Sequence, residues 1–351
     1  MKVGILTASR TNNNGTDLQA YAMQLLFSSL GYEAEVIDYR CNKLDSSHNV
    51  FRLSRATDLI RIPWKVFMQI SHEKFRKTFL VKSQEIFSDH FILDGYDAVV
   101  VGSDQVWNLD ITGQDLNFWL PASAGVFKRM SYAASIGKLD VRDWEAKYQL
   151  SQYLKAFDGV SVREQSAVDA LAAIGVEARE DLDPIIAVGK DALLSVKGGN
   201  TPRKKYVLLY LVQDCQDAIN DAIKYSNDNS CNVIMVSNIS KPIRHIKTKH
   251  YVSLPQWITL MDGADCIFTN SYHGISTAIT LNKNIRVYPL KSSDGNARAL
   301  SLLAKTRMME CYSTNQTDVF LPSIEKWKEV NSRLDDLRIR SCSYINTILR
   351  G

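Results

Sequence analysis

The feature that most constrains the fold is a repeated alternation of short apolar runs, polar clusters and segments with helical periodicity. Near the start of the chain, Lys2–Ala8 indicates a buried strand, Ser9–Thr16 a polar loop and Leu18–Leu30 a helix that stops at Gly31. A second strand is indicated at Glu35–Tyr39. Units of this kind form parallel strands covered by helices. The pattern predicts an α/β protein with mainly parallel sheets.

The same alternation resumes after Gly198–Lys205, where glycine, proline and charged residues occur together as in a linker. A chain of 351 residues is also longer than one hydrophobic core usually serves. We therefore predict two Rossmann-like domains, residues 1–197 and 206–351. In two-domain folds of this shape the last helix often crosses back, so the terminal helix region Ile324–Leu349 is a candidate for a return to the first domain.

Composition narrows the class of protein. The net charge of +4 is too weak to call for nucleic acid as a partner. The six cysteines show no CxxC spacing, which argues against a disulfide framework or a zinc site and favours a reducing compartment. The chain opens directly into a strand with no leader, and no apolar run approaches the roughly 20 residues of a membrane span. These observations predict a cytoplasmic protein.

One stretch combines a strand end, a polar turn and a helix start. In Ala264–Asn282 an apolar run is followed by Asn270, Ser271, Tyr272, His273 and Gly274, and then by a helical pattern. Ligands of open α/β sheets bind at such strand ends, where the next helix begins. His273 can exchange a proton near neutral pH, and Gly274 allows close approach of a ligand. A helix-capping or packing role for His273 is the alternative.

Polar residues also follow other predicted strands, as they would at the lip of a cleft. After Asp97–Val101 come Ser103, Asp104, Gln105 and Asn108, and after Gly159–Val162 comes Arg163. The first loop and helix add Asn13, Gly15 and Gln19, without the GxGxxG of a dinucleotide site. The alternatives are that Asp104 caps a turn, that Arg163 forms a surface ion pair near Glu164 and that the asparagine loop is a solvated turn.

A further segment, Leu59–Val81, mixes aromatic and basic residues and predicts a basic amphipathic helix pair. Such helices can lie on a membrane surface. Packing on the protein's own domain, with a solvated basic face, is the interpretation we favour.

Together these motifs resemble those of the polysaccharide pyruvyl transferase family. The resemblance covers most of the chain and rests on six motifs in order. They are NNGTDLQAYAMQ (13–24), YDAVVVGSDQVWN (96–108), SYAASIG (131–137), GVSVRE (159–164), DLDP (181–184) and ADCIFTNSYHG (264–274).

The resemblance implies two facing Rossmann-like halves, similar to GT-B glycosyltransferases, with the site in the cleft between them. It implies transfer of pyruvyl from phosphoenolpyruvate to two hydroxyls of a sugar, on a polysaccharide or its lipid-linked precursor, as in exopolysaccharide and cell-envelope biosynthesis. No metal or organic cofactor is implied. A lipid-linked acceptor would bring the protein to the inner face of the membrane as a peripheral protein. The oligomeric state is left open.

By the same resemblance, His273 matches the catalytic histidine and Arg163 the arginine that binds the substrate anion. Asp104 is the candidate base for a sugar hydroxyl. Many relatives have an arginine where this chain has Ser271. One anion contact is therefore either missing or supplied by Arg298 or Arg10, and this difference bears on the identity of the donor. Two other functions remain open: a GT-B glycosyltransferase that uses a nucleotide sugar, and a non-catalytic glycan-binding relative.

Overall fold

A computed structural model gives the structure of the chain, and it describes residues 1–47, 58–137, 140–236, 243, 246–291, 293–313 and 319–351. The chain forms two compact units. The first comprises Met1–Ser54, Glu73–Val188 and Asp336–Gly351, and the second comprises Arg55–His72 and Gly189–Asp335. Along this part of the chain the compact units divide between Val188 and Gly189. The domain limits at 197 and 206 stay a prediction.

The first unit contains a five-stranded sheet in the order β3-β2-β1-β4-β5, with all its strands parallel. Its strands are β1 (Lys2–Leu6), β2 (Glu33–Arg40), β3 (Lys82–Phe87), β4 (Ala98–Val101) and β5 (Lys128–Ser131). A short parallel pair, β6 (Ser161–Val162) and β7 (Arg179–Glu180), accompanies it. Every residue of β4 is buried, as expected for a parallel strand that is covered on both faces.

Helices connect these strands. Those of the first unit are α1 (Asn14–Ser29), α2 (Asn42–Ser47), α4 (Leu109–Thr112), α5 (Arg142–Tyr148), α6 (Leu150–Leu154), α7 (Gln165–Ala172) and α8 (Pro184–Ala187). The helix α3 (Asp58–Phe79) contributes residues to both units. Trp107 and Trp119 stack in the core of the first unit, with ring centroids 5.1 Å apart.

The second unit repeats the architecture. Its sheet has the order β10-β9-β8-β11-β12, again with all strands parallel. The strands are β8 (Tyr206–Tyr210), β9 (Asn232–Val236), β10 (Lys247–Lys249), β11 (Cys266–Thr269) and β12 (Asn284–Val287). The helices are α9 (Gly189–Leu194), α10 (Gln216–Asp228), α11 (Leu254–Gly263), α12 (Tyr272–Thr280) and α13 (Ser293–Lys305). The predicted α/β fold with mainly parallel sheets is confirmed.

The last helix, α14, runs from Ile324 to Arg350, and its residues from Asp336 onward belong to the first unit. There the Arg338 guanidinium donates to the Ile186 carbonyl at 3.0 Å, and the Ser341 hydroxyl donates to Asp181 at 2.9 Å. The predicted linker is tied to the second unit, since the backbone N–H of Gly198 donates to the Pro255 carbonyl of α11 at 3.1 Å.

Three local predictions need correction. The helix pair predicted over Leu59–Val81 is wrong, because a single helix, α3, runs through Pro63. The strand β3 was not predicted, and its mostly exposed or half-exposed side chains give no apolar run to recognise. The strand β10, Lys247–Lys249, was not predicted either. Within the described residues, no helix has the length and apolar character needed to cross a membrane.

Candidate functional site

The amino end of α1 lies just after β1, and Asn13 is its N-cap. The Asn13 side-chain oxygen accepts from the backbone N–H groups of Gly15 at 2.8 Å and Thr16 at 3.4 Å. Gly15 is buried in the first helical turn. The cap satisfies two helix N–H groups that would otherwise lack a partner. The asparagine loop therefore has a local structural function, and substrate contacts from Asn13 and Gly15 stay a prediction.

Gln19 and Ser103 form a buried link between the ends of β1 and β4. The Gln19 amide donates to the Thr7 hydroxyl at 2.8 Å and accepts from the Ser103 N–H at 3.1 Å. The Ser103 hydroxyl donates to the Ala133 carbonyl at 3.0 Å. Both side chains are wholly buried, so the contacts seen here fix the loop that carries the next residue, Asp104.

The Asp104 carboxylate is held from two sides. One oxygen accepts from the Thr16 hydroxyl at 2.9 Å, and the other accepts from the Gln105 N–H at 2.8 Å. The guanidinium of Arg163 lies 3.9 Å away. The Asp104 side chain remains 13% exposed, so the structure orients this carboxylate and leaves part of it accessible.

Gln105 and Asn108 form a neighbouring pair. The Asn108 amide donates to the Gln105 side-chain oxygen at 3.1 Å, and Asn108 caps α4 by accepting from the Asp110 N–H at 3.2 Å. Gly137 lies against both, with φ of 64°, and an added Cβ would come within 2.2 Å of the Gln105 oxygen. The positive φ favours glycine at this position, which accounts for the last residue of the SYAASIG motif.

Arg163 is wholly buried and faces three carboxylates. Its guanidinium lies 3.4 Å from Asp183, 3.5 Å from Glu164 and 3.9 Å from Asp104. Asp183 also caps α8, and Glu164 accepts from the Ser135 hydroxyl at 2.6 Å. The alternative of a surface ion pair near Glu164 is wrong about the surface, because Arg163 and Glu164 are both buried. The sequence placed Asp183 at a strand end but did not pair it with Arg163. These contacts favour a role in holding carboxylates, and direct binding of a donor anion by Arg163 stays a prediction.

In the second unit, Ser271 begins the helix that carries His273. Its hydroxyl accepts from the Gly274 N–H at 3.3 Å, and its own N–H donates to the Thr269 hydroxyl at 3.0 Å. The first turn of α12 contains no acidic residue. The amino end of a helix carries a partial positive charge, so this turn is suited to an anion.

Gly274 lets α12 begin close to the sheet. An added Cβ would lie 2.7 Å from the Thr269 hydroxyl oxygen and 2.9 Å from a ring carbon of Tyr210. Tyr210 was not singled out from the sequence. Burial raises the pKa of Tyr210 to about 12, partly opposed by its hydrogen bond with Ser271. Tyr210 therefore stays a neutral phenol at physiological pH.

Three predicted residues of the second unit lie together. The rings of Tyr272 and His273 meet edge to face, with centroids 5.7 Å apart. The guanidinium carbon of Arg298, on α13, lies 5.8 Å from the Tyr272 ring centroid. His273 and Arg298 are both half-buried. A titratable imidazole, a guanidinium and a helix amino end thus occur at one edge of this unit.

Asn270 ties the ends of β8 and β11 together. Its side-chain oxygen accepts from the Val212 N–H at 2.9 Å, and its amide donates to the Gln213 carbonyl at 2.8 Å. Arg10, the other cation considered for the donor anion, is paired with Asp38 at 2.6 Å and Glu85 at 3.2 Å in the first unit. Arg298 is therefore the better candidate for the contact that Ser271 does not supply.

The second unit also contains a cavity of about 760 Å³ that none of the predicted site residues lines. Tyr206 and Asn232, at the beginnings of β8 and β9, line it together with Cys231. The cavity therefore lies at the amino ends of these parallel strands, whereas Ser271 follows the carboxyl end of β11. Among the described residues, no group of three His, Cys, Asp or Glu side chains is arranged to hold a metal ion.

The fold defines the class of protein as a GT-B-like α/β protein with two Rossmann-type units. A solved UDP-N-acetylglucosamine 2-epimerase has a TM-score of 0.53 and 13% identity, covering 98% of this chain and 95% of its own. The UDP-GlcNAc 2-epimerase of Neisseria meningitidis, solved with UDP-GlcNAc, has a TM-score of 0.49 and 11% identity, covering 98% of this chain and 93% of its own. Arabidopsis thaliana UGT89C1, solved with quercetin, has a TM-score of 0.44 and 10% identity, covering 97% of this chain and 99% of its own. At such identities the first of these comparisons shows the fold alone.

The polysaccharide pyruvyl transferase family model matches residues 13–289. The chain belongs to this family, as its motifs predicted, and it is a polysaccharide-modifying transferase whose acceptor is a glycan. A comparison with curated proteins gives no match.

Proposed function

We propose that this transferase moves the pyruvyl group of phosphoenolpyruvate onto two hydroxyls of one sugar of a polysaccharide or its lipid-linked precursor. Carbon 2 of the donor forms bonds to both sugar oxygens, and its bond to the phosphate oxygen breaks. One hydroxyl proton goes to the methylene carbon, which becomes a methyl group, and the other leaves on the phosphate. The reaction is balanced without a redox partner.

The observation that carries the proposal is the cluster at the amino end of α12 in a chain of this family. Phosphoenolpyruvate carries a carboxylate and a phosphate, which guanidinium groups and helix amino ends bind well. Arg298 and the first turn of α12 provide both kinds of group. We assign donor binding to Arg298 and to the first turn of α12. Ser271 is smaller than the arginine that many relatives carry at this position.

His273 is the proposed general acid. It occupies the first turn of α12, where the helix dipole disfavours an imidazolium but favours a bound anion. A phosphate beside the ring would reverse the balance and favour the protonated imidazole. The proton then goes to the methylene carbon or to the leaving phosphate. Asp104, oriented by Thr16 and the Gln105 N–H, is the proposed base for a sugar hydroxyl.

The proposal includes the cellular setting of the reaction. Phosphoenolpyruvate is a cytoplasmic metabolite, and a lipid-linked acceptor is held at the inner face of the membrane. We therefore propose a cytoplasmic, peripheral enzyme of exopolysaccharide and cell-envelope biosynthesis.

Thermal unfolding with added ligand tests the choice of donor. A ligand that binds the native state raises the melting temperature in proportion to the logarithm of its concentration. We expect phosphoenolpyruvate to raise it, and UDP-GlcNAc and other nucleotide sugars to leave it unchanged. A shift with a nucleotide sugar alone would replace this proposal by glycosyl transfer. Arg298→Gln should abolish the shift with phosphoenolpyruvate, whereas Arg307→Gln, an exposed control, should keep it.

A further inference from the structure

The helix α3 leaves large apolar side chains in solvent. Trp64, Val66, Phe67 and Ile70 are 55%, 37%, 50% and 59% exposed, all within two turns. Single exposed apolar residues are common on proteins, but a contiguous group of four within seven residues is not. The sequence favoured a helix packed on its own domain, and this segment departs from that expectation.

The exposure is confined to one part of the helix. Met68 and His72, four residues apart, are buried and hold the helix in place. Phe67 and Ile70 lie three residues apart and therefore share another face. Trp64 is also held, because its ring lies parallel to that of Tyr251, with centroids 6.3 Å apart. The exposed side chains thus belong to an anchored helix.

The charged residues of the segments 62–72 and 246–251 are all positive, and Glu73, one turn after the exposed group, is the first acidic residue that follows it on α3. Lys65 lies within the exposed group, and Lys247 and Lys249 precede Tyr251. Neither residues 62–72 nor residues 246–251 contain an aspartate or a glutamate. An apolar face flanked by cations complements a surface that is apolar inside and anionic outside, as a bilayer with acidic lipids is.

We propose that Trp64, Val66, Phe67 and Ile70, with Tyr251 and the lysines before it, form a membrane-contact patch. The apolar side chains enter the boundary between headgroups and acyl chains, and the lysines contact acidic headgroups. The inference goes beyond the proposed reaction, because the patch binds the bilayer itself and needs no glycolipid.

A second copy of the chain suits this patch less well. A two-fold dimer places the same surface on both sides of the interface, which would bring the same lysines together. A bilayer surface with acidic lipids offers charges of the opposite sign. Lipid is therefore the occupant that the charges favour.

Vesicle binding by the full-length protein, without donor or acceptor, tests the proposal separately from the proposed reaction. The probes are phosphatidylcholine vesicles with and without 30% phosphatidylglycerol, read by co-sedimentation. We expect binding to the acidic vesicles that weakens as salt is raised. Trp64 is the most exposed of the six tryptophans, so its emission should shift to shorter wavelength on binding, and the shift should disappear in Trp64→Phe.

The double variant Phe67→Ser, Ile70→Ser should bind acidic vesicles at least about tenfold more weakly. Each substitution removes an apolar side chain whose burial in lipid would raise the affinity by about a factor of ten. Ile339→Ser is the matched control: Ile339 is 68% exposed on α14, and its loss should change nothing. Both proteins should keep the wild-type melting temperature, since only exposed side chains change. Absence of binding to acidic vesicles, or undiminished binding by the double variant, would overturn the proposal. The proposal would also be overturned if the wild type formed a dimer and did not bind vesicles, and the double variant abolished that dimer.

Discussion

Thr16 donates a 2.9 Å hydrogen bond to the carboxylate of Asp104, although 88 residues separate the two in the chain. The bond joins the first turn of α1 to the loop after β4. It links two of the six motifs, NNGTDLQAYAMQ and YDAVVVGSDQVWN, through one carboxylate. The orientation of the proposed base therefore depends on a residue outside its own motif.

Thr16→Val tests this dependence, because valine keeps the shape and removes the donor. We expect the rate of phosphate release from phosphoenolpyruvate with a glycan acceptor to fall about tenfold, as the net loss of one hydrogen bond to a charged group predicts. Thr16→Ser restores the hydroxyl and should restore the rate. If Thr16→Ser is as slow as Thr16→Val, packing and not the hydrogen bond explains the loss.

Arg163→Ala should be strongly destabilising. It would leave Asp104, Glu164 and Asp183 close together without their cation, and breaking a buried ion pair typically costs about 3–5 kcal/mol. Arg307→Ala removes an exposed pair with Glu329 and should cost less than about 1 kcal/mol. Urea unfolding of both variants makes the comparison, and equal midpoints would contradict the structural role.

Arg163→Lys separates that role from donor binding. Lysine keeps the charge but loses the two-pronged geometry of the guanidinium. If Arg163 binds the donor, the affinity for phosphoenolpyruvate should fall in a variant that remains folded. Unchanged affinity together with lower stability would assign Arg163 to the carboxylates alone.

Gly274→Ala should move the start of α12. The added methyl group would lie 2.7 Å from the Thr269 hydroxyl oxygen and 2.9 Å from the Tyr210 ring, so both neighbours or the start of the helix must shift. Overpacking of this kind costs about 1–3 kcal/mol. We expect a lower melting temperature and weaker binding of phosphoenolpyruvate. A variant with wild-type values for both would show that this turn tolerates a side chain.

The raised pKa of Tyr210, about 12 against an ordinary 10, predicts a loss of stability in alkali. Between these values the unfolded chain has lost the phenol proton and the folded protein retains it. The contribution is therefore complete below pH 10 and disappears as the pH rises towards 12. The free energy of unfolding should fall less steeply over this range in Tyr210→Phe than in the wild type. Identical slopes would contradict the assignment.

The sequence predicts the strand ends well. The stretch 264–282 indicated a strand, a turn and a helix, and the structure gives Cys266–Thr269, the Ser271 cap and Tyr272–Thr280. Parallel strands leave apolar runs with clear polar ends, and the inner strands of both sheets follow from them. The edge strand β3 has no such run, since its side chains face solvent or are only half-buried.

The roles of single polar residues are harder to predict. Asn13 and Asn108 use side-chain oxygens to cap helices. The Gln19 amide forms its hydrogen bonds with Thr7 and Ser103. A sequence shows which hydrogen-bonding groups exist but not which the fold already uses. The burial of Arg163 likewise depends on Asp183, which reaches it from 20 residues along the chain.

The exposed face of α3 was not predictable for a similar reason. Periodicity shows that Met68 and Phe67 are both apolar, but only packing decides that the first is buried and the second is not. The family could be predicted because six short motifs keep their order.

The most direct test of the account is turnover by His273→Asn. Asparagine keeps some hydrogen bonding and removes titration, and loss of one general acid typically lowers the rate about 10²–10⁴-fold. Phosphate release from phosphoenolpyruvate, together with the NMR signal of the new ketal methyl group, would be followed with a panel of glycan acceptors. The account predicts turnover by the wild type and a loss of that size in a His273→Asn protein with unchanged melting temperature and donor affinity. A folded His273→Asn protein that forms the ketal at the wild-type rate would contradict it.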